Sequence, residues 1–231
     1  MPPAPITRST LREQLAEALR DEVLAGRLPA GRSFTVKEIA EQYGVSATPV
    51  REALVDLSAQ GLLDTDHHRG FRVREITLAD FTAMVEARTL VIEGVFRAAV
   101  ADGSLTRTEA AAEAVAEAVA SVRRRAEAAR RAALAGDLDI LIGYDLRFWR
   151  ELGDLVGNPY VADFLDRLRI QTWVFTVPLL RARGELRGLL WAGHLDLVAA
   201  LEAGDAVSAR RILAEYNTHA LELGRSLATT R

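Results

Sequence analysis

The stretch SATPVREAL, Ser46–Leu54, has the composition of a helix that begins at an exposed N-terminus. Proline is tolerated in a first turn because the N–H that it lacks would have no helical partner there. Ser46 or Thr48 could cap that turn. The apolar residues recur at helical spacing and predict one buried face: Val50, Ala53, Leu54 and Leu57. Taken alone, the nonamer is typical of an ordinary capped surface helix, so its neighbours must decide its role.

Two further helices are predicted before this stretch. The first spans Leu11–Ala25, where apolar residues fall on one face and a glycine follows as a stop. A turn-rich connector, Gly26–Phe34, leads to a second helix over Thr35–Tyr43. Gly44 ends that helix and is suited to a left-handed cap.

A short β-hairpin is predicted after the helix that begins in SATPVREAL. The quoted helix runs to about Gln60, and a polar tip over residues 66–70 is followed by the alternating apolar pair Phe71 and Val73. The order helix, helix, glycine-containing turn, helix and hairpin is that of a winged helix-turn-helix, in which the second helix of the motif enters the DNA major groove. Arg51 could then reach a phosphate or a guanine, and the helix N-terminus would favour a phosphate.

The composition of the chain limits the classes of protein to which it can belong. The 231 residues suit one large domain or two small ones, and 49% of them are apolar. No apolar run reaches the roughly 18 residues of a membrane span, so we expect no membrane partner. Residues 1–6 lack the apolar core of a signal peptide and are predicted to form a flexible arm. There is no cysteine, which fits a cytoplasmic location, and the net charge of −3 requires any basic surface to be local.

From Leu78 onward the pattern is helical to the end and predicts six or seven helices. The predicted breaks are Asp102-Gly103, Gly136-Asp137, Gly157-Asn158-Pro159, Arg183-Gly184 and Gly204-Asp205. The predicted fold class is therefore mostly α, with an N-terminal winged helix-turn-helix (residues 7–74) and a C-terminal all-α helical bundle (residues 75–231).

Two parts of the chain resemble a known family. The segment FTVKEIAEQYGVSATPVREALVDLSAQGLLDTDHHRGFRV, residues 34–73, is similar to the DNA-binding domain of GntR-type bacterial transcription regulators. The helical half resembles the FCD effector domain of the FadR-like subfamily. The pieces that carry this second resemblance are EARTLVIEG, YDLRFWRELGDLVGNPY and HLDLVAALEAGDAVSARRILAEY.

The resemblance implies binding of a palindromic double-stranded DNA operator by a homodimer. The family's DNA contacts fall on Lys37, Ser46, Thr48 and Arg51, with wing contacts on His67, His68, Arg69 and Gly70. Ala47 stands where the family usually has an arginine. We therefore expect the preferred operator to differ from that of arginine-bearing relatives.

The resemblance also implies an effector pocket in the helical half, residues 75–231. Metal-binding FCD domains use one aspartate and three histidines, of which Asp145 and His194 match here. Trp149 and Tyr216 replace the other two ligands, and an indole cannot coordinate a metal. We therefore expect no cofactor and no metal. The alternative is a divalent site formed by Asp145, His194 and His219, which would make the protein a metal-dependent carboxylate sensor.

A metal-free pocket would bind a small organic acid or an apolar, acyl-type or aromatic metabolite. Its predicted effector-binding residues are Arg88, Asp145, Trp149, His194 and Tyr216. Simpler roles remain open: Trp149 could be core, Arg88 could pair with Glu86 or Glu93, and His194 could be an interior histidine with its hydrogen bonds satisfied.

Three classes of function are consistent with these features: a ligand-responsive transcription regulator, a helical enzyme with a DNA-binding appendage, and an architectural DNA binder without an effector. The sequence contains no nucleophile–base pair and no glycine-rich phosphate loop, so we predict a non-enzymatic regulator, with repression as its expected action.

Overall fold

The computed structural model describes residues 11–66, 70–101 and 112–229. The predicted arm, the wing residues His67, His68 and Arg69, and the predicted break at Asp102-Gly103 lie outside the described residues. The chain divides into two compact units, one ending at Ile76 and the other beginning at Thr77. No helix in the described part of the chain is both long enough and apolar enough to span a membrane.

The first unit combines a helix-turn-helix with a small antiparallel sheet. Its helices are α1 (Leu11–Leu24), α2 (Val36–Tyr43) and α3 (Ala47–Ala59), and its strands are β1 (Ser33–Phe34), β2 (Leu63–Asp66) and β3 (Gly70–Val73). The predicted hairpin is β2–β3, and the strand order is β1-β3-β2. The connector predicted over Gly26–Phe34 is not a turn throughout, because its last two residues form β1 and pair with Arg72 and Phe71.

The turn between α2 and α3 forms as predicted. Thr35 and Glu38 form a capping box at the start of α2, in which each side chain bonds the backbone N–H of the other. Gly44 adopts the left-handed conformation with φ 65° and ψ 35°, which confirms the predicted cap. Ser46 lies at the N-cap position of α3 but its side chain makes no capping hydrogen bond, so the expected cap at Ser46 is wrong.

The periodicity of α3 sets the core of the first unit. Val50, Ala53 and Leu54 are fully buried, and Leu57 is 1% exposed. These side chains are buried together with the inward face of α1, where Leu19 is also 1% exposed. Burying that face leaves the start of α3 at the surface, because residues three and four apart share a helix face.

The second unit is helical in all its described regular elements, which agrees with the predicted mostly α fold. Its helices are α4 (Leu78–Ala101), α5 (Ala112–Ala135), α6 (Leu138–Asp154), α7 (Pro159–Arg183), α8 (His194–Glu202) and α9 (Ala206–Thr229). Every predicted break within the described ranges falls at a junction between two of these helices, with Pro159 and Arg183 as the first and last residues of α7. One apolar cluster, around Val122, Phe148, Leu197 and Ile212, joins α5, α6, α8 and α9.

A second contact draws α4 and α9 together and depends on a glycine. Phe81 on α4 is 1% exposed and stacks on Phe175 of α7, with ring centroids 4.6 Å apart. A Cβ placed on Gly224 of α9 would lie 2.4 Å from Cε1 of Phe81. The ring would have to shift to admit that Cβ, and a shift would disturb its stacking on Phe175.

We predict that Gly224→Ala destabilises the helical unit by about 1–3 kcal/mol, the usual cost of overpacking a core. The matched control is Gly94→Ala on α4, where nothing lies within 4 Å of the added Cβ. That change should be neutral or stabilising by up to about 1 kcal/mol, since alanine favours a helix. Urea denaturation measures both, and equal stability of the two variants would contradict the packing argument.

Candidate functional site

The residues predicted to contact DNA lie on the surface of the first unit. Ser46, Ala47, Thr48 and Arg51 are all exposed along the first turns of α3. Arg51 makes no ion pair or hydrogen bond with the described residues, so its guanidinium is available to a partner. Lys37 on α2 is also exposed.

The start of α3 has an additional feature that suits a phosphate. At α2 the first backbone N–H groups are satisfied by the capping box, but at α3 no side chain bonds them. An exposed helix N-terminus with free N–H groups attracts anions through its dipole and its donors. The arrangement can therefore bind one DNA phosphate beside the exposed Arg51.

Gly70 is the one predicted wing contact within the described residues. It has φ 95°, and a Cβ there would lie 2.6 Å from the backbone oxygen of Phe34. Glycine is thus required for β1 and β3 to approach each other. This gives Gly70 a steric role in the wing, whether or not it also contacts DNA.

The second candidate site is centred on the carboxylate of Asp145, which is 3% exposed on α6. Its Oδ1 accepts hydrogen bonds from Nε1 of Trp149 at 2.9 Å and lies 3.0 Å from Nε2 of His194. Its Oδ2 accepts from Nε1 of Trp173 at 2.8 Å. Two indoles and one imidazole therefore surround the same buried anion.

Two opposing effects set the pKa of Asp145. Burial alone would raise that pKa, but the hydrogen bond with His194 and the positive charge of Arg169 outweigh it. The net result is a pKa below the usual value of this carboxyl group, so Asp145 is ionised at neutral pH.

Arg169 on α7 supplies a buried cation close to this carboxylate. It is 3% exposed, and its Cζ lies 3.9 Å from the ring centroid of Trp149 and 4.7 Å from that of Tyr216. Its Nη1 also donates a hydrogen bond to the Tyr216 hydroxyl. The guanidinium thus lies against the faces of two neighbouring rings, whose centroids are 5.0 Å apart.

Trp149 connects the anion to the cation. The edge of its indole donates to Asp145, and the face of the same ring lies against Arg169. An aromatic ring is positive at its edge and negative over its face, so both contacts are favourable. Trp149 is therefore more than an apolar core residue.

Arg88 on α4 is a second buried cation and is only 1% exposed. Its Nε donates to Oδ1 of Asn217 at 2.8 Å, and its Nη1 lies 3.5 Å from the Tyr216 hydroxyl. Its Nη2 is buried without a hydrogen-bond partner among the described residues. Burial lowers the pKa of Arg88 to about 10, so the side chain remains charged at neutral pH. The alternative pairing of Arg88 with Glu93 does not occur, because Glu93 pairs with Arg210.

A cavity of about 70 Å³ adjoins these groups. Arg88, Asp145 and Tyr216 line it, whereas Trp149 and His194 do not; they stand behind the Asp145 carboxylate. The remaining lining residues are Phe81, Leu141, Thr172, Trp173, Thr176, Leu180, Leu190, Trp191, His219, Ala220 and Leu223. The cavity is therefore mostly apolar, with a few polar groups, as small-molecule sites are.

His219 faces this cavity but does not complete a metal site. Burial lowers the pKa of His219, and its Nε2 has no hydrogen-bond partner in the described part of the chain. No group of three histidine, cysteine, aspartate or glutamate side chains among the described residues is placed to hold a metal ion. The alternative set of Asp145, His194 and His219 is thus not assembled, and the residues present do not fit a bound metal.

Sequence reasoning missed three contributors to this site: Arg169, Trp173 and Asn217. Arg169 and Trp173 are four residues apart and so share a face of α7, but the sequence offers two nearby arginines at 167 and 169. Only the packing shows that Arg167 is exposed while Arg169 is buried. Asn217 adjoins Tyr216 in sequence and could have been found only through its bond to Arg88.

Comparison with known proteins gives consistent matches to both units. Residues 11–73 match the family described as "Bacterial regulatory proteins, gntR family", and residues 98–219 match the FCD domain. Over 211 residues the chain is 30% identical to a protein of Paenarthrobacter nicotinovorans named "Probable D-xylose utilization operon transcriptional repressor". The match covers 91% of this chain and 87% of that relative.

A second relative has a solved structure. The transcriptional regulator McbR of Escherichia coli K12 is 27% identical over 212 residues, which cover 89% of each chain. The structure of E. coli McbR/YncC superposes with a TM-score of 0.72 at 24% identity, over 95% of this chain and 99% of that one. At this identity the structural match supports the fold.

We predict that Asp145→Asn lowers the free energy of unfolding by about 3–5 kcal/mol, because it leaves Arg169 buried without its nearby anion. The folded-state pKa of Asp145 is lowered, so its contribution is complete at pH 7 and is lost as the pH falls below the usual value of 3.8. The gap between wild type and variant should shrink over that acid range. Asp163→Asn on α7, where the carboxylate is exposed, is the control and should cost little. Urea denaturation across pH tests this, and equal costs would refute it.

Proposed function

The chain belongs to the gntR family of bacterial regulatory proteins and carries an FCD domain, and we propose that it represses transcription in response to a small organic acid. GntR-family regulators bind DNA operators, and FCD domains bind small-molecule effectors. The prediction of a non-enzymatic transcription regulator is confirmed, since the matched families and relatives are regulators. The place of action that we propose is the cytoplasm.

The proposed DNA-binding surface is the start of α3 together with the wing. Its support is the exposed set Ser46, Thr48 and Arg51 beside backbone N–H groups that no side chain caps. One helix reads only a few base pairs, so we propose that two copies bind a palindrome as a homodimer. Exposed Ala47 removes one possible contact, and the preferred operator should differ accordingly.

The proposal that this protein represses transcription, and does not activate it, rests on its similarity to a named relative. The relative from Paenarthrobacter nicotinovorans is named as a repressor of a D-xylose utilization operon, and this supports repression here. A sugar is a weaker candidate for the effector of this chain. A neutral ligand would leave one of the two buried positive charges, Arg88 and Arg169, unbalanced, because Asp145 offers a single negative charge.

The balance of buried charge carries the proposal of an organic acid. The buried charged side chains among the described residues include two arginines, Arg88 and Arg169, but one carboxylate, Asp145. Arg88 also lines the cavity, and its buried Nη2 has no hydrogen-bond partner among the described residues. A carboxylate bound there would supply both the missing hydrogen bond and the missing negative charge.

The size and lining of the cavity restrict that acid. A volume of about 70 Å³ is far below that of a pocket for a drug-sized ligand, so a short acid fits better than a long acyl chain or a fused aromatic ring. The apolar lining, including Leu141 and Leu180, would contact the carbon body. His219 also lines the cavity and is the second polar contact that we propose, since its Nε2 has no hydrogen-bond partner among the described residues. Trp149 and His194 act indirectly in this proposal, by holding Asp145.

For DNA binding, we predict that Arg51→Ala weakens binding to the selected operator by roughly 1–3 kcal/mol, the value of one good base contact. The operator is first obtained by selection from random duplexes, and affinity is measured by fluorescence anisotropy. Arg131→Ala on α5, an equal charge change at an exposed residue of the helical unit, should have little effect. A footprint with two symmetric half-sites is expected; an asymmetric single half-site bound by monomers would contradict the dimer.

For the effector, we predict that short carboxylic acids raise the melting temperature of the wild type, whereas the corresponding amides do not. Arg88→Met should abolish this shift, because it removes the charge and the free donor. Arg225→Met, on an exposed part of α9, should leave it intact. Equal shifts with acids and amides, or a full shift in Arg88→Met, would refute an acid anchored by Arg88. DNA binding by the Arg88→Met protein shows separately that the regulator itself is intact.

A further inference from the structure

Arg169 contacts several groups in the buried centre of the second unit, although its Nε has no hydrogen-bond partner among the described residues. Its guanidinium lies on Trp149, lies over Tyr216, donates to the Tyr216 hydroxyl and lowers the pKa of Asp145 through its charge. The resemblance to metal-binding FCD domains implies that these three partners, Asp145, Trp149 and Tyr216, stand at three of the four ligand positions of such domains. The fourth, His194, bonds the same Asp145 carboxylate.

We propose that the Arg169 guanidinium is a built-in cation that takes the place of a bound metal ion in this domain. It balances the Asp145 carboxylate permanently, so the domain folds and binds its effector without metal. The proposal concerns the protein's own charge and does not depend on the identity of the effector.

The chemistry of the surrounding groups favours a guanidinium over a metal. A metal ion needs lone pairs from N, O or S, and the face of an indole offers none. A guanidinium is planar and weakly hydrated, so it stacks on aromatic faces and donates in its own plane. The contacts of Arg169 with the ring of Trp149 and the hydroxyl of Tyr216 combine these two modes. A lysine ammonium could not reproduce both.

The proposal makes metal binding and Arg169 mutually exclusive. Restoring imidazoles with Trp149→His and Tyr216→His would complete the ligand set of Asp145 and His194. With Arg169 in place, however, its positive charge acts on Asp145 and would repel a second cation there. Removing that charge as well with Arg169→Met should open the position to zinc.

The first experiment compares full-length wild type, the double variant and the triple variant after dialysis against zinc. Elemental analysis should find on the order of one zinc ion per chain in the triple variant and substoichiometric zinc in the other two. Zinc should also raise the melting temperature of the triple variant by roughly 5–10 °C. The control adds Arg167→Met, an exposed arginine of the same helix, to the double variant and should gain no zinc. Stoichiometric zinc in the wild type or double variant, or a folded triple variant without zinc, would overturn the proposal.

A second experiment decides the matter if the triple variant does not fold. Arg169→Ala leaves a space beside the rings of Trp149 and Tyr216 that methylguanidinium can fill. Millimolar methylguanidinium should raise the melting temperature of Arg169→Ala, methylammonium should not, and the wild type should respond to neither. Equal responses to both cations, or to none, would show that a guanidinium has no specific role at this position and would overturn the proposal.

Discussion

The buried carboxylate of Asp145 is the constraint on which the second unit depends. A carboxylate taken from water costs several kcal/mol unless its oxygens are bonded and its charge is balanced. Here three nitrogen groups, from Trp149, Trp173 and His194, meet the two oxygens, and Arg169 supplies the opposite charge. These partners come from α6, α7 and α8, so one anion fixes the mutual placement of three helices.

Tyr216 extends this arrangement to α4 and α9. Its hydroxyl accepts from Arg169 and lies 3.5 Å from Nη1 of Arg88, while its ring lies under both guanidiniums. Two like charges are thereby held near one phenol, and Arg88, which lines the cavity, retains a donor without a partner among the described residues. An anion bound there would relieve the repulsion between the arginines. A ligand shifts a protein between two conformations only if it binds one of them more tightly. An anion could do so here by reducing the electrostatic repulsion between the two arginines.

How much of this was visible in the sequence differs between the two units. The winged helix was predictable because its signals are local: the apolar period of α3, the left-handed Gly44 and the alternation of Phe71 and Val73 all act within a few residues. Strand β1 was missed because two residues carry no period and pair only with β3. Arg169 is missed for a related reason. Its burial results from contacts with α6 and α9, and no pattern in the sequence of α7 indicates it.

Trp149, Arg169 and Tyr216 depend on one another at the centre of the second unit. A histidine at 149 would lose the indole face on which Arg169 lies, and a protonated histidine at 216 would place another cation where a phenol now accepts hydrogen bonds. Conversely, Trp149 and Tyr216 without Arg169 would leave Asp145 without the cation that lowers its pKa. Each of these residues offsets the free-energy cost of burying a charge or a donor on the others. The loss of two imidazoles is thus coupled to the burial of one arginine, because either change alone would leave a charge or a donor without its partner.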